Sequence, residues 1–516
     1  MKKGKKIMSL VIAGVLAIGS LTGCGNQQTD GKGSNSKTNI EIAYGVGGLG
    51  TEFLENIIKG FEKKYPEYSV SLTTSANDNT TMAMFGKEGD TVDLYLGITQ
   101  YDTTHLEPID DVLESTVKGE NKTIKEKFQP SYLKLMVADD GHYYNLPRGG
   151  GILGFVYNKE IFEDAGIKQL PRTTNELTAV CSKLSQKGYK PLCHFQLGGY
   201  YNFLDEVFFS QYDGFDYFVN NFYASKDANG NSPSKELFTQ KDGRYQTLKA
   251  YEKFITPEYV MEGSNSLDHT SVQTMFLNGK AAMMYTGSWL ANEMKGVGGV
   301  EKFPMMKTPV ISAILDKLET VKTETELRNL ISAIDSVTDG EKALSDFAEG
   351  ENYKVDGKVV SSADWKYVSA ARNTVGINYS HASMFIPNYS NAIDGAKEFM
   401  KYFYSDEGYR IYMDTLHLGL PLSLSEGKPD QSEWSDFELS QYQLLTSSEY
   451  LVTQYIANRH RIFIDGGADA YAGYEFIAPL CATNSKDRKT ADDIWKHVGT
   501  LIDDEYEDSW LANIKK

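Results

Sequence analysis

The stretch NLPRGGGILGFVYNKEIFEDAGIKQLPRTTNEL, residues 145–177, predicts one buried strand and two helices that follow it. Its apolar run, residues 152–157, is preceded by three glycines and followed by Asn158. A short apolar run between such breaks is typical of a buried strand. The three glycines thus mark the point at which the chain enters this strand.

Both helices after the strand carry recognisable end signals. The first is amphipathic and ends at Gly166, because a helix commonly closes on a glycine in the left-handed conformation. The second begins at Thr173, where Thr173 and Glu176 predict a capping box that satisfies two backbone N–H groups reciprocally. The buried face of the second helix is predicted from apolar residues at helical spacing: Leu177, Val180, Cys181 and Leu184.

A β-α-β unit is predicted further upstream. Residues 40–44 form its first strand, residues 45–50 a glycine-rich loop, and a helix starts at Thr51. The loop lacks the Gly-Lys-Ser/Thr ending of a phosphate-binding loop, which argues against a nucleotide site. The loop is more consistent with a ligand that contacts bare backbone at the carboxyl end of a strand.

Three further stretches accompany the first one in a fixed order. They are FEKKYPEYSVSL (residues 61–72), FLNGKAAMMYTGSWLANEM (276–294) and AKEFMKYFYSDEGYRIYM (396–413). With the glycine-rich crossover, VYNKEIFEDAGI and LPRTTNEL, they resemble the family 1 extracellular solute-binding proteins of ABC importers. The resemblance covers most of residues 40–425.

This resemblance implies an α/β fold of the periplasmic-binding-protein-like class, type II, with two lobes joined by a three-segment hinge. We expect residues 39–145 and 305–420 to form lobe 1, with an insertion at 311–375, and residues 146–304 and 421–516 to form lobe 2. The expected crossovers lie near Leu146, Pro304–Pro309 and Gly419–Leu424.

The insertion departs from the family pattern. Residues 311–375 show helical periodicity in two places and predict a hairpin around Asp356-Gly357. The sequence leaves open whether this segment caps a lobe, contacts the permease or narrows the cleft. His381, just beyond the insertion, is interpreted as a structural histidine.

The N-terminus predicts export and anchoring. A basic start, Met1–Lys6, precedes an apolar segment that is too short to span a bilayer, and Leu-Thr-Gly-Cys ends at Cys24. This ending resembles a bacterial lipobox, so residues 1–23 are predicted to be a signal peptide and Cys24 the lipidated residue. The alternative is an ordinary secretory signal in which Cys24 is coincidental. Residues 24–38 are predicted to be a flexible tether, because their composition cannot bury enough apolar surface to fold.

The charge of the chain argues against two kinds of partner. The formal net charge is −18, and loss of the four signal-peptide lysines leaves −22. Nucleic acids and anionic lipid surfaces bind through lysine and arginine, so neither is an expected partner of the body. Membrane contact is expected through the lipid on Cys24.

Cysteine and histidine spacing predicts no metal and no cofactor. Cys181, Cys193 and Cys481 remain after Cys24 is set aside, and an odd number implies at least one free thiol. A bridge between Cys181 and Cys193 stays open at this point. No C-x-x-C pair and no Cys/His cluster at metal-binding spacing occurs.

The family resemblance implies that ligand is held between the lobes. The candidate binding residues are Gly47, Gln100 and Tyr101 from lobe 1, and Arg148, Tyr200, Tyr201 and Trp289 from lobe 2 or its edge. Aromatic faces would cover the C–H surface of a sugar ring, and amides would bind its hydroxyls. Arg148 could instead bind a carboxylate. Tyr200, Tyr201 and Trp289 have a second interpretation as ordinary packing residues.

These expectations define a receptor rather than an enzyme. We expect a lipid-anchored monomer on the extracytoplasmic face of the bacterial cell membrane. It would capture a carbohydrate, more specifically an oligosaccharide, and deliver it to ABC permease subunits by hinge closure. One alternative is an anchored polysaccharide hydrolase, for which the cleft segments offer Asp102 but no second carboxylate. Another is a ligand-sensing lipoprotein that docks a different protein.

Overall fold

The computed structural model describes residues 37–194, 200–337, 344–468 and 477–515. Two β-sheets form the centres of two lobes, which confirms the α/β fold class. The predicted signal peptide, Cys24 and the tether up to residue 36 lie outside the described residues. Within the described ranges, no helix has both the length and the apolar composition needed to cross a membrane.

The first lobe is built on a mixed sheet of five strands. In spatial order its strands are β2 (Tyr68–Ser75), β1 (Thr38–Gly45), β3 (Leu94–Ile98), β13 (Ala382–Phe385) and β4 (Leu146–Pro147). β1 runs parallel to β2 and β3, while β13 runs antiparallel to β3 and β4. The predicted β-α-β unit is confirmed, because helix α1 (Glu52–Lys64) connects β1 to β2 and buries its apolar face.

The second lobe is built around the predicted strand of residues 152–157. In spatial order its strands are β14 (Tyr450–Val452), β12 (Thr374–Ile377), β5 (Ile152–Tyr157), β7 (Met283–Gly287) and β6 (Leu192–Cys193), with β8 (Met305–Met306) also paired to β5. β5 is antiparallel to β7, β8 and β12. Its first five residues are buried, as the uninterrupted apolar run predicts.

The longer helices cover these two sheets. After α1 they are α2 (Thr174–Gln186), α3 (Tyr201–Asp213), α4 (Gly243–Phe254), α5 (His269–Leu277), α6 (Glu324–Ser336), α7 (Ser362–Arg372), α8 (Ile393–Phe403), α9 (Asp406–Leu416), α10 (Asp436–Ser447) and α11 (Ala491–Glu505). Short helical segments include Gly47–Leu49, Asp78–Thr81, Ile124–Lys127, Pro130–Met136, Lys159–Asp164, Leu290–Glu293 and Ser312–Asp316.

The end signals of the two helices after β5 are confirmed with one correction. Gly166 has φ +68°, and the Thr173 hydroxyl accepts a hydrogen bond from the backbone N–H of Glu176. The reciprocal half of the capping box is wrong. The Glu176 carboxylate turns to the backbone N–H and guanidinium of Arg172, because this geometry gives it a charged partner.

Along the described residues, the chain passes between the lobes three times. The first passage lies where it was expected, and the other two do not. Residues 148–151 carry it from β4 to β5, as the crossover near Leu146 predicts. The expected crossover at Pro304–Pro309 is wrong, since β8 and β12 both pair with β5 in the second sheet. The chain returns to the first lobe only at residues 378–381, between β12 and β13.

The third passage lies beyond the expected segment. Leu422 still forms a β-bridge with Phe128 of the first lobe, whereas Ser440 in α10 accepts a hydrogen bond from the backbone N–H of Met305 in the second. Passage therefore occurs between these two contacts, on the C-terminal side of Gly419–Leu424.

The insertion belongs to the second lobe, which corrects its assignment to lobe 1. Glu324 at the start of α6 accepts a hydrogen bond from the side chain of Asn175 in α2, at 2.9 Å. The predicted hairpin is confirmed between β10 (Asn352–Val355) and β11 (Lys358–Val360), with β9 (Ala348–Glu349) beside β10. Asp356 and Gly357 both have positive φ, as a two-residue hairpin turn requires.

All three cysteines of the body are free and buried. Cys181 and Cys193 lie in the core of the second lobe, and burial raises the pKa of both thiols. The bridge that the sequence left open between Cys181 and Cys193 is therefore not formed. Burial makes these thiols poor nucleophiles and gives them a packing role.

Candidate functional site

A cleft of about 340 Å³ lies between the two lobes, at the carboxyl end of β1. Its size falls within the range of small-molecule sites, which is roughly 300–1,000 Å³. Both sheets and two of the three connecting segments contribute to its walls. The lining residues are Val46, Gly47, Gly48, Leu49, Asp78, Arg148, Gly149, Gly150, Tyr200, Phe203, Trp289, Glu293, Asn378, His381, Ala382 and Tyr455.

The wall from the first lobe includes the glycine-containing loop after β1. The Tyr44 hydroxyl donates toward the carbonyls of Val46 and Gly50, at 3.1 and 2.9 Å, and so fixes the loop after β1. Gly47 has φ +49°, a conformation that a glycine adopts without strain. Gly47 therefore lies where the sequence predicts it, and it presents no side chain to the cleft.

The opposite wall is aromatic. Trp289 follows β7, and its indole Nε1 donates a hydrogen bond to the Tyr200 hydroxyl at 3.0 Å. The two rings meet edge to face, with centroids 5.0 Å apart and planes at 78°. Their mutual contact fixes both rings while leaving Trp289 partly exposed in the cleft. Such a surface suits the apolar face of a ring whose rim is polar.

Gly287 sets the position of the Trp289 ring. A Cβ placed on Gly287 would lie 2.2 Å from two carbon atoms of the indole, so the ring is folded back over the strand end. We expect Gly287→Ala to displace the indole and to lower the free energy of unfolding by about 1–3 kcal/mol, the usual cost of overpacking. Chemical denaturation followed by tryptophan fluorescence measures both effects.

Gly499→Ala in α11 is the matched control for that substitution. A Cβ at Gly499 meets no atom within 4 Å, and the residue is helical. Alanine there should leave stability unchanged or raise it by up to about 1 kcal/mol. Equal stability of Gly287→Ala and the wild-type protein would show that the ring position does not depend on Gly287.

Arg148 lines the cleft but is already paired. It is 4% exposed, and its Nη2 lies 2.6 Å from Oδ1 of Asp78 in the first lobe. The guanidinium also lies over the ring of Tyr44, at 5.1 Å from the centroid. Burial raises the pKa of Tyr44 to about 12, although the charge of Arg148 opposes that rise. Arg148 is therefore a structural part of the cleft wall. Its guanidinium is engaged by Asp78 and Tyr44 and is not positioned to bind a ligand as expected.

Gln100 and Tyr101 do not line the cleft. The Gln100 side chain turns back on its own strand and donates to the carbonyl of Ile98 at 2.8 Å. The Tyr101 ring lies under the guanidinium of Arg459, at 4.6 Å. Both residues follow β3 as predicted, but their side chains contact Ile98 and Arg459, and neither residue lines the cleft.

Tyr201 belongs to the core, which supports its packing interpretation. It is 1% exposed, and its ring lies 6.2 Å from the ring of Tyr285 in a stacked arrangement and 5.7 Å from that of Tyr251. Tyr200 precedes the first residue of α3, so the two neighbouring side chains diverge. One faces the cleft and the other faces the sheet.

Several cleft residues were missed by the sequence analysis. Asn378 in the second crossover and Ala382 at the start of β13 follow the insertion, and Phe203 and Tyr455 come from segments without a motif. The interpretation of His381 as only structural is wrong, since His381 also lines the cleft. The His381 ring lies 4.6 Å from that of Tyr455. Desolvation lowers the pKa of His381, and the charge of Asp78 works against that effect. The neutral imidazole is therefore favoured, and it can donate or accept a hydrogen bond.

Across the described residues, no group of three or more histidine, cysteine, aspartate or glutamate side chains is arranged to hold a metal ion. Asp102, the carboxylate that a hydrolase would have used, caps a short turn by accepting from Thr104 and does not line the cleft.

Comparison with known sequences identifies related binding proteins. Residues 47–410 match the family model for bacterial extracellular solute-binding proteins. A binding protein of Brucella abortus (strain 2308) is 26% identical over 257 residues, which are 47% of this chain and 56% of that protein. A binding protein of Brucella suis biovar 1 (strain 1330) matches to the same extent. The chain thus matches little more than half the length of these curated relatives.

Solved structures share the overall fold. The bacterial solute receptor AcbH, with an exclusive preference for β-D-galactopyranose, has a TM-score of 0.63 at 14% identity and covers 92% of this chain and 100% of its own. RafE from Streptococcus pneumoniae has a TM-score of 0.60 at 16% identity, with 92% and 99% covered. BlMnBP1, from an ABC transporter of Bifidobacterium animalis subsp. lactis and bound to mannobiose, has a TM-score of 0.52 at 18% identity, with 92% and 96% covered.

Proposed function

Because the chain belongs to the bacterial extracellular solute-binding proteins, we propose that it is a receptor that captures a carbohydrate in the cleft between its lobes. The observation that carries this proposal is the partly exposed Trp289, braced by Tyr200 and set against a glycine loop of the other lobe. A Cβ placed on Gly48 would lie only 3.9 Å from the Cβ of Trp289. An apolar ring face beside bare backbone suits a sugar, which combines C–H surface with a rim of hydroxyls.

Structural relatives support the ligand class. AcbH prefers a galactopyranose and BlMnBP1 was solved with mannobiose. Their low identity to this chain means that the support is for a carbohydrate in general. We propose an oligosaccharide as the ligand, since the cleft is open and has aromatic or imidazole rings on two segments beyond Trp289, at Phe203 and His381.

Transport would follow from the hinge. Ligand contacts with Gly47 in the first lobe and Trp289 in the second would favour the closed arrangement over the open one. A ligand shifts such an equilibrium only by its difference in affinity for the two states, so contacts from both lobes are required. We propose that ABC permease subunits recognise the closed form, and that the protein acts as a monomer.

The N-terminal sequence supports a location at the cell surface. We propose that Cys24 carries lipid and that residues 24–38 tether the body to the extracytoplasmic face of the membrane. Two acyl signals on one cysteine would give stable anchoring, whereas a single chain gives only reversible binding. Growth with labelled palmitate, followed by purification of wild-type and Cys24→Ser protein, tests this step: label on both forms would contradict it.

A thermal-shift screen tests the receptor proposal. The panel contains monosaccharides, oligosaccharides, uronic acids, polyamines and short peptides, each followed by product analysis. A ligand that binds only the folded protein raises the unfolding midpoint as its concentration rises. We expect a saturable shift with one class of saccharide and no products. Cleavage of the saccharide would favour the hydrolase alternative, and a shift with peptides alone would contradict the carbohydrate proposal.

A further inference from the structure

Among the described residues, the charges of the groups that line the cleft do not sum to zero. Those groups are Asp78, Arg148 and Glu293, together with the titratable His381. Asp78 and Arg148 form a direct ion pair, at 2.6 Å, and so neutralise each other. Desolvation lowers the pKa of His381 and favours its neutral form. One negative charge, that of Glu293, is therefore left facing the space for the ligand.

Glu293 has an amide rather than a cation as its partner. Its Oε2 accepts a hydrogen bond from Nε2 of the buried Gln273, at 2.7 Å, and the ion pairs found among the described residues do not include it. Desolvation raises the pKa of Glu293, while the Gln273 hydrogen bond and the charge of His269 oppose that rise. Glu293 is exposed as a residue, but its carboxyl group lies beside Gln273 at the edge of the cleft, where a nearby cation would stabilise its charge.

Glu293 also lies close enough to the aromatic wall to affect a ligand there. It ends the short helix Leu290–Glu293, which begins directly after Trp289. Burial raises the pKa of Tyr200, and the charge of Glu293 adds to that rise. The carboxylate field therefore reaches the Tyr200 hydroxyl that accepts the Trp289 indole N–H.

We propose that Glu293 makes the cleft selective for charge, so that it accepts uncharged sugars and amino sugars and rejects sugars that carry a carboxylate. This inference rests on the proposed carbohydrate receptor and names the chemical class of its ligand. The ammonium of an amino sugar would pair directly with Glu293, for which no ion pair is found among the described residues. A uronic acid instead places a second negative charge beside it.

Arg148 does not rescue an acidic sugar. Its side chain is 5% exposed, and Asp78 and the Tyr44 ring already occupy two of its faces. A ligand carboxylate would have to displace Asp78 and leave that aspartate without its cation, in a wall where it is 22% exposed. Exchanging one ion pair for another gives no net gain in binding free energy, because Asp78 is left without its partner.

The test uses the full chain and matched sugar series measured by isothermal titration. Glucose, glucosamine and glucuronic acid form one series, and galactose, galactosamine and galacturonic acid form the other. We expect the uronic acid to bind roughly fivefold more weakly than the neutral sugar, because two like charges about 4 Å apart in water repel by about 1 kcal/mol. The amino sugar should bind at least as tightly as the neutral one. Glu293→Gln should remove most of both differences.

Glu301→Gln is the matched control, because it also removes one negative charge but lies outside the cleft, on an exposed site. This variant should keep the wild-type order of affinities. Equal binding of the uronic acid and the neutral sugar to the wild-type protein would overturn the charge selection alone. Loss of the preference in Glu301→Gln as well would also overturn it, since the effect would then come from net charge. If none of the six monosaccharides binds, the same comparison is made with the neutral, amino and uronic forms of the oligosaccharide that gives a thermal shift. Binding of no saccharide in either experiment would overturn the receptor proposal and this inference together.

Discussion

Trp289→Ala is expected to weaken saccharide binding by about 2 kcal/mol, which is roughly 30-fold in Kd. The indole lies beside the glycine loop, and it positions the Tyr200 ring through a hydrogen bond of 3.0 Å. The substitution therefore removes a contact surface and frees a second ring. Isothermal titration of both proteins with the saccharide found by thermal shift measures the loss.

Two further variants separate binding from stability. Trp289→Phe keeps a ring but removes the N–H, so its affinity should fall between those of the wild-type and alanine proteins. Trp495→Ala removes a half-buried indole that packs on Tyr245 far from the cleft, at 5.7 Å between ring centroids. It should leave Kd unchanged. Equal affinities for Trp289→Ala and wild-type protein would show that the sugar does not use this wall.

Lys127→Met is expected to lower the free energy of unfolding by about 3–5 kcal/mol, the usual effect of removing one partner from a buried ion pair. The Lys127 side chain is 0% exposed, with Nζ 2.7 Å from Oε2 of Glu120 and 2.8 Å from Oδ1 of Asp406. It also donates to the carbonyl of Tyr404 at 2.8 Å. Methionine fills similar volume but leaves two carboxylates together without a cation. Urea denaturation at pH 7 measures the change.

This effect should depend on pH with a defined sign. Burial works to raise the pKa of Asp406, but hydrogen bonds from Lys127 and Ser425 outweigh it and hold that pKa below its ordinary value of 3.8. A lowered pKa in the folded state adds stability that is present above the unfolded value and is lost as pH falls through the folded value. The difference between wild-type and Lys127→Met protein should therefore shrink below about pH 4.

Lys125→Met is the control for this prediction. Lys125 lies two residues away and pairs with Glu114 at 2.7 Å, but the two side chains are 42% and 61% exposed. Solvent screens such a pair, so its loss should change stability by less than about 1 kcal/mol. A similar loss from both lysine substitutions would show that the buried cluster has no special role.

Local sequence patterns correctly predicted several elements of the fold. The apolar run of residues 152–157 became a strand with the predicted bounds, and Gly166 adopted the predicted left-handed conformation. The hairpin at Asp356-Gly357 formed as its turn residues require. These features depend on a few neighbouring residues, and so a sequence contains what is needed to predict them.

Features that depend on contacts distant in the chain were harder to predict. Residues 305–377 stay with the second lobe because β8 and β12 pair with β5, and no local pattern specifies that pairing. Arg148 is bound to Asp78, which lies 70 positions away, so its apparent availability to a ligand was misleading. Asn378 and His381 were not assigned to the site either, because their place in the cleft also depends on contacts distant in the chain.

A crystal structure of the protein grown with the saccharide that gives the thermal shift is the most direct measurement of the central claim. We predict a sugar ring whose face packs on Trp289, whose hydroxyls reach the loop of Gly47, and whose position joins both lobes. A saccharide bound outside this cleft, or contacts from one lobe alone, would contradict the account of a receptor that closes on its ligand.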